Sequence, residues 1–402
     1  MTANSTKKPF LLFEKEPISY INILCGILVF SATFYYTLQM PLDYGAHLAL
    51  AEQFSFSNLF NSIRDNPYPL WHLVCIFLER IFKIPGIYAA ALTSAGFVYV
   101  TYYFTRKILI SFSSTELAQK VSSVVSAALM FIQPIFIPWF NPSHLIGQGS
   151  PNILYIPTSI AVKPFAIICT WMFIKLYADY KNSGYERKKD FSIFARLAVL
   201  QFLSVFAKPS YAQVAIPAIG ILLIITLFKS KAKSLAFCIK TVLSWVPAVF
   251  WICVIFIFSF ISSSSDGNST ALSFFDVWSA YSPCIPISII LATLFPLIML
   301  IITSIKPNKN TLGIILGSLM TFFGVLEYGF LMETGDRMMH GNFSCGYIAG
   351  MSVFWTFAAA HLIEHFNQDY KTKNVKNILY TLAFSAFLAH FMFGVYYYFI
   401  TL

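Results

Sequence analysis

Residues 285–305 read IPISIILATLFPLIMLIITSI, a run that contains no charged side chain. A helix of about 20 such residues is long enough to cross the hydrocarbon core of a bilayer. Apolar runs of similar length recur from end to end of the 402-residue chain, which is 57% hydrophobic, 18% aromatic and only 11% charged. The sequence therefore predicts an all-α, polytopic transmembrane helix bundle that forms a single integral membrane domain over residues 1–402.

This composition excludes several classes of protein. A typical soluble domain carries about 25% charged residues, and a single soluble core stops growing near ~250–300 residues. A β-barrel would give only a weak, alternating hydropathy signal, which does not resemble these long apolar runs. A coiled coil, a disordered chain and a secreted disulfide scaffold are excluded on the same grounds.

We predict about eleven spans, with the N-terminus in the cytoplasm. The apolar stretch 68–82 is not counted, because it has about 15 residues and includes Glu79 and Arg80, which falls short of a span. It is instead predicted to form an interfacial or re-entrant helix within a long first extracytoplasmic loop, residues 39–86. The predicted spans are residues 18–38, 87–105, 119–139, 159–178, 192–207, 212–229, 239–261, 285–305, 311–331, 346–366 and 378–399.

The basic residues support this topology. The net charge is +10, and the eleven-span topology places 21 of the 27 Lys and Arg residues on the cytoplasmic side, as the positive-inside rule expects. They do not form a stripe with interleaved aromatic residues, so we expect no nucleic-acid partner. The six basic residues on the outer side are Arg64, Arg80, Lys83, Lys163, Lys208 and Arg337.

Two segments of the first outer loop carry candidate functional residues. An ionisable residue at or below the membrane interface is costly, so each is by default a functional hypothesis. Asp43 and His47 would share one face of a helix, where the carboxylate could act as a general base and the imidazole could orient it. A helix N-cap is the alternative role for Asp43. His72 follows the sequence NPYPLW, in which Trp71 is expected to be an interfacial anchor.

Further candidates lie on the same side of the predicted membrane. The loop over residues 141–164 is rich in Gly, Pro, Asn and Ser and includes Asn152. Lys163 and Lys208 lie at the same outer level, where two cations could bind a lipid phosphate. Snorkelling of both side chains to lipid headgroups is the alternative.

The sequence ETGDRMMHGN at residues 333–342 carries the densest group of polar side chains. Arg337 is of the type suited to bidentate binding of phosphate. A solvated loop with internal ion pairs is the alternative interpretation. Glu327 lies deeper, in the preceding apolar run, and would need a partner there, for which Lys208 and Arg337 are candidates.

A first span followed by a long outer loop that opens with an acidic residue resembles the GT-C superfamily of polytopic membrane glycosyltransferases. Asp43 matches the acidic position, and YPLWH at residues 68–72 is similar to the Pro-rich start of the juxtamembrane helices in that family. The resemblance covers residues 1–110 best. The chain departs from the pattern of many members at Tyr44, where they have a second acidic residue.

The resemblance implies transfer of a sugar from a polyprenyl-phosphate donor to a glycan, lipid or protein acceptor on the extracytoplasmic face of a bacterial plasma membrane. Asp43 would be the general base, with His47 beside it. The groups expected to bind the donor phosphate are Lys163, Lys208, Arg337 and His340. The groups expected to orient the acceptor or bind a divalent cation are Glu333, Asp336, His72 and Asn152. No cofactor is certain.

Three other functions remain open. A transporter or flippase of a lipid-linked or polar solute would place its charges near the bilayer midplane, at broken helices. An outer-face polysaccharide polymerase or ligase would share the donor and differ in the acceptor. A non-catalytic scaffold subunit would tolerate the loss of any outer polar residue.

Overall fold

The computed structural model describes residues 19–39, 41–112, 115–141, 143–186, 191–262, 269–372 and 378–401. Within these residues the chain forms sixteen α-helices, one 3-10 helix over Gly335–His340 and one antiparallel pair of three-residue strands. The strands are β1 (Thr270–Leu272) and β2 (Leu331–Glu333). The helices are α1 (Tyr20–Gln39), α2 (Pro41–Gln53), α3 (Leu59–Asp65), α4 (Leu70–Phe82), α5 (Gly86–Ser111), α6 (Glu116–Leu129), α7 (His144–Gln148), α8 (Pro157–Asn182), α9 (Phe191–Ala207), α10 (Ser210–Lys229), α11 (Leu235–Ser262), α12 (Asp276–Tyr281), α13 (Ile285–Ile305), α14 (Thr311–Phe330), α15 (Ser344–Thr372) and α16 (Ile378–Thr401).

Nine helices of the described chain are long and apolar enough to cross a membrane. They coincide with nine of the eleven predicted spans, and they confirm the prediction of a helical integral membrane protein. The two remaining predicted spans correspond to shorter helices. These nine are α1, α5, α8, α10, α11, α13, α14, α15 and α16.

The helix predicted over residues 119–139 ends at Leu129. Its 14 residues extend only about 21 Å, against about 30 Å for the hydrocarbon core. The Asn152 side-chain amide donates hydrogen bonds to the carbonyl groups of Leu129 (2.7 Å) and Ile132 (3.1 Å), which stabilises the helix end. Helix α6 ends before Pro134, whose ring and missing N–H cannot continue a helix, and the Asn152 amide then pairs with the Leu129 carbonyl that the helix end leaves free.

Helix α9 has 17 residues and agrees closely with the predicted segment 192–207, but it is shorter than the nine. In the first loop, the helix predicted over 68–82 is confirmed as α4, whose 13 residues extend about 20 Å. The expectation that Trp71 anchors a membrane interface is wrong, because its side chain is fully buried in the protein.

Helices α14 and α15 make the most extensive helix pair of the described structure. Glycines allow their backbones to approach closely, as small residues do in membrane helix pairs. A Cβ atom on Gly317 would lie 2.5 Å from Cα of Phe354, and one on Gly350 would lie 2.6 Å from the carbonyl carbon of Met320. This pair sets the position of the polar segment that follows α14.

Loops that follow α6, α11 and α14 meet at one end of the bundle. The indole N–H of Trp278 donates to the carbonyl of Gly147 (2.9 Å), and the hydroxyl of Tyr281 donates to the carbonyl of Met339 (2.7 Å). Strand β1 pairs with β2 directly beside these contacts. Asp43 lies at this end of the bundle, which we call the Asp43 end.

We expect Gly350→Ala to lower the free energy of unfolding by about 1–3 kcal/mol, because the added methyl group overlaps the backbone of α14. The measurement is the midpoint of thermal unfolding of the purified protein in detergent. Gly96→Ala in α5 is the matched control, because a Cβ there meets nothing within 4 Å. Alanine favours a helix over glycine, so the control should be neutral or stabilising. Equal midpoints for the two variants would contradict the close approach of α14 and α15.

Candidate functional site

Two short helices of the first loop, α2 and α4, are held rigidly at the Asp43 end. The indole N–H of Trp71 in α4 donates to Oγ of Ser94 in α5 (3.1 Å). The hydroxyl of the buried Tyr44 in α2 donates to the backbone carbonyl of Leu154. The rings of Tyr44 and Trp71 pack against each other, with their centroids 6.1 Å apart. These contacts fix the faces of α2 and α4 that carry the polar candidates.

His47 of α2 and His72 of α4 are in direct contact. Nδ1 of His47 lies 2.9 Å from Nε2 of His72, and Nδ1 of His72 lies 3.3 Å from the carbonyl oxygen of Tyr68. Burial, and next the charge of Lys208, lower the pKa of His47 to about 4. Burial, and next the His47 ring, lower the pKa of His72 to about 3, although the Tyr68 carbonyl opposes this. Both rings are therefore neutral at pH 7.

Lys208 is the cation at the centre of the candidate site. It lies in the short turn between α9 and α10. Asp43 is exposed, but the surrounding protein removes part of its water, which raises the pKa of its carboxyl group; the charges of Lys208 and His340 oppose that rise. Asp43, Lys208 and His340 come from three distant segments, and they lie close enough to interact electrostatically.

The charge of Lys208 also acts on a second carboxyl group, that of Glu327. Its Oε2 atom is buried and has no hydrogen-bond partner. Gly346 in α15 leaves the space that Oε2 fills, because a Cβ atom at that position would overlap it. Of the two partners that the sequence suggested, Lys208 is therefore the one that interacts with Glu327.

Arg337, the other suggested partner, binds within its own segment. Its Nη2 atom lies 3.2 Å from Oε1 of Glu333, and Nδ2 of Asn342 donates to Oε2 of Glu333 (2.6 Å). The charges of Arg337 and Glu333 both act on the hydroxyl of Tyr68, whose pKa is raised mainly by burial. The segment after α14 thus lies beside the start of α4.

Two tyrosines belong to this group but were not predicted as site residues. Tyr68 is the link just described. Burial raises the pKa of Tyr155, and the largest electrostatic contribution to that rise comes from Asp43. Tyr68 lies in the Pro-rich sequence that precedes His72, so a sequence signal for it existed. No pattern in the sequence marks Tyr155. Each hydroxyl can donate and accept a hydrogen bond, which suits a ligand with hydroxyl groups.

Lys163 and Asn152 do not join the group. The side chain of Lys163 is only 4% exposed, and its Nζ donates to Oδ1 of Asn152 (3.2 Å). Because Asn152 also bonds the end of α6, the two side chains tie the start of α8 to that helix end. Their predicted roles at the surface, including snorkelling by Lys163, find no support in this placement.

The predicted residues do not fit a divalent cation. Among the described residues, no group of three or more His, Cys, Asp or Glu side chains could hold a metal ion. Both oxygens of Glu333 already face Arg337 and Asn342, and Asp336 is exposed on the 3-10 helix.

Comparison with known proteins does not assign the chain to a family. No protein-family model matches it, and no curated protein matches it.

We expect the protein to lose stability as the pH falls from 7 to 5. The folded-state pKa values of His47 and His72, about 4 and about 3, lie below the unfolded value of about 6.5, so the unfolded chain binds more protons in this window. The measurement is the thermal midpoint at several pH values. The double variant H47Q/H72Q should lose less stability on acidification.

His340→Gln serves as the control, because it removes a histidine of the same end that is exposed and outside the buried pair, and it should change the acid sensitivity less than the double variant does. The raised pKa of Asp43 acts in the opposite direction, since a carboxyl group that binds protons more readily when folded stabilises the protein at low pH. An equal pH dependence in the double variant and the wild type would contradict neutral, buried histidines.

Proposed function

We propose that the chain is a membrane glycosyltransferase that moves a sugar from a polyprenyl-phosphate donor to a hydroxyl acceptor at the Asp43 end. What supports the proposal is the placement of Asp43, Lys208 and His340, which come from three separate segments, since the charges of Lys208 and His340 act on the Asp43 carboxyl group. A carboxylate base and cations for a phosphate are the groups that this transfer needs. The resemblance of the first loop to GT-C enzymes supports the same conclusion.

The reaction follows from the character of these groups. Asp43 takes the proton of the acceptor hydroxyl while the hydroxyl oxygen attacks the anomeric carbon of the donor sugar. The bond from that carbon to the phosphate oxygen breaks, and the phosphate leaves with the electron pair. Lys208 and His340 stabilise the phosphate charge, together with Arg337 if it exchanges Glu333 for the phosphate. The raised pKa of Asp43 makes it a stronger base than an ordinary carboxylate.

We propose the eleven-span topology for this enzyme, with the N-terminus in the cytoplasm and the Asp43 end outside. The nine long apolar helices and the cytoplasmic bias of Lys and Arg support it. Helices α6 and α9 would complete two further crossings with their adjoining segments. Helices α2 and α4 are too short to cross and suit an interfacial position. A bacterial plasma membrane is the proposed location.

A transporter or flippase of a lipid-linked or polar solute is the second candidate. Two observations favour it: the backbone of α13 is interrupted at Thr293 (φ −129°, ψ 17°), and the Glu327 carboxyl group is buried without a partner for Oε2. Activity in detergent separates the two functions, because sugar transfer needs no closed compartment and transport does. An outer-face polymerase or ligase differs from the first proposal only in its acceptor.

We expect Asp43→Asn to lower the rate of sugar transfer about 100-fold or more, because an amide cannot take the proton. The measurement is incorporation of radiolabelled sugar from polyprenyl-phosphate donors by the purified protein in detergent. Asp65→Asn is the matched control, since Asp65 is an exposed carboxylate of the same loop that pairs with Arg64 (2.9 Å). Full activity of Asp43→Asn would remove this residue from the mechanism.

We expect Lys208→Gln to lower kcat/KM for the lipid-linked donor about tenfold or more, because a charge-assisted contact to the phosphate is lost. Lys208→Arg keeps the charge and should retain more activity. Lys83→Gln, which removes an exposed cation after α4, is the control and should retain full activity. The assignment of Lys208 fails if the losses in Lys208→Gln and Lys83→Gln are equal.

A further inference from the structure

The contacts of His72 determine which of its ring nitrogens carries hydrogen. A backbone carbonyl oxygen can only accept, so Nδ1 of His72, at 3.3 Å from the Tyr68 carbonyl, must be the donor. A neutral imidazole has one N–H group, so Nε2 of His72 has a lone pair. The partner of that lone pair is Nδ1 of His47 at 2.9 Å, which must therefore carry hydrogen.

Because a neutral imidazole has one N–H group, Nε2 of His47 carries no hydrogen. Burial keeps both rings neutral at pH 7, which the lowered pKa values of His47 and His72 support. No residue of the described chain donates a hydrogen bond to Nε2 of His47. This nitrogen is a hydrogen-bond acceptor, and it is separated from the bonded Nδ1 by one ring carbon, so its lone pair does not point at His72.

His47 is also held in place and belongs to the Lys208 site. Its ring packs edge-on against the buried Trp71, with centroids 6.0 Å apart, and this contact restricts its rotation. His47 lies one helical turn after Asp43, on the same face of α2, and both respond to the charge of Lys208. A ligand group between them would meet a carboxylate, a cation and a neutral acceptor.

We infer that Nε2 of His47 accepts a hydrogen bond from a hydroxyl group of the sugar substrate, and that His72 is a positioning residue that fixes the His47 tautomer. This inference rests on the proposed function and names the chemical group that the site recognises. A fixed acceptor selects ligands that carry a hydrogen-bond donor at this point, because an analogue without the hydroxyl leaves the nitrogen unpaired. Asp43 remains the group that takes the proton.

The tautomers are tested by ¹⁵N NMR of the full chain labelled with ¹⁵N-histidine in lipid nanodiscs. The variants His47→Gln, His72→Gln and His340→Gln assign the signals. The expected result is hydrogen on Nδ1 of both His47 and His72 at pH 7. Hydrogen on Nε2 of His47 would overturn the inference, whatever the enzyme does.

Two variants of His72 separate positioning from packing. In His72→Gln the side-chain oxygen can still accept from Nδ1 of His47, so the His47 tautomer should be retained. In His72→Leu no acceptor remains, and hydrogen should appear on Nε2 of His47. An unchanged His47 signal in His72→Leu would show that His72 does not fix the tautomer.

The same variants are then assayed for sugar transfer from a panel of radiolabelled polyprenyl-phosphate hexoses. We expect His47→Leu and His72→Leu to lower kcat/KM about ten- to a hundredfold, with His72→Gln closer to wild type. Full activity of His47→Leu overturns the role in substrate binding and leaves the proposed function standing. Absence of transfer by the wild-type protein rejects the proposed function and this role together, while the NMR result still decides the hydrogen-bond chain.

Discussion

Hydrogen-bonding groups of the backbone cannot remain unpaired where lipid replaces water, and this constraint shapes the protein. The long helices satisfy it within themselves. The stretch between α6 and α8 is largely non-helical, so its backbone N–H and C=O groups pair with side chains and with neighbouring elements instead. Nε2 of Gln133 donates to the carbonyl of Asn152 (2.7 Å), Nε2 of Gln148 donates to that of Ile135 (3.0 Å), and the N–H of Ile135 donates to the carbonyl of Leu291 (3.0 Å). A buried amide network thus stabilises an irregular segment.

This irregular segment also supports the Asp43 end. The carbonyl of Leu154 accepts the hydroxyl of Tyr44 and so anchors α2, and the adjacent Tyr155 lies within the electrostatic reach of Asp43. The sequence predicted Lys163 as a cation at the outer surface. Its Nζ instead donates to Oδ1 of Asn152 within the buried network. Lys163 and Lys208 are each followed by a proline, but their surroundings differ. Lys163 is bonded within the buried scaffold, whereas the charge of Lys208 acts on the Asp43 carboxyl group.

The sequence predicted the helices better than the contacts between them. Length and hydropathy located nine spanning helices and α4, because both properties are local. The end of α6 was missed because the prediction followed hydropathy through Pro134, which cannot continue a helix. Pairing of His47 with His72 was missed because it depends on how α2 packs against α4, which no local pattern records. That Asp43, Lys208 and His340 share one site stays a prediction from topology, which brings the ends of alternate loops to one side.

The fit between Glu327 and Gly346 links two positions that lie on neighbouring helices. The Glu327 carboxyl group fills the volume that any side chain at position 346 would need. A Cβ atom at position 346 would displace the flexible carboxylate end of Glu327, so a substitution on α15 would change where the buried carboxyl group of α14 lies.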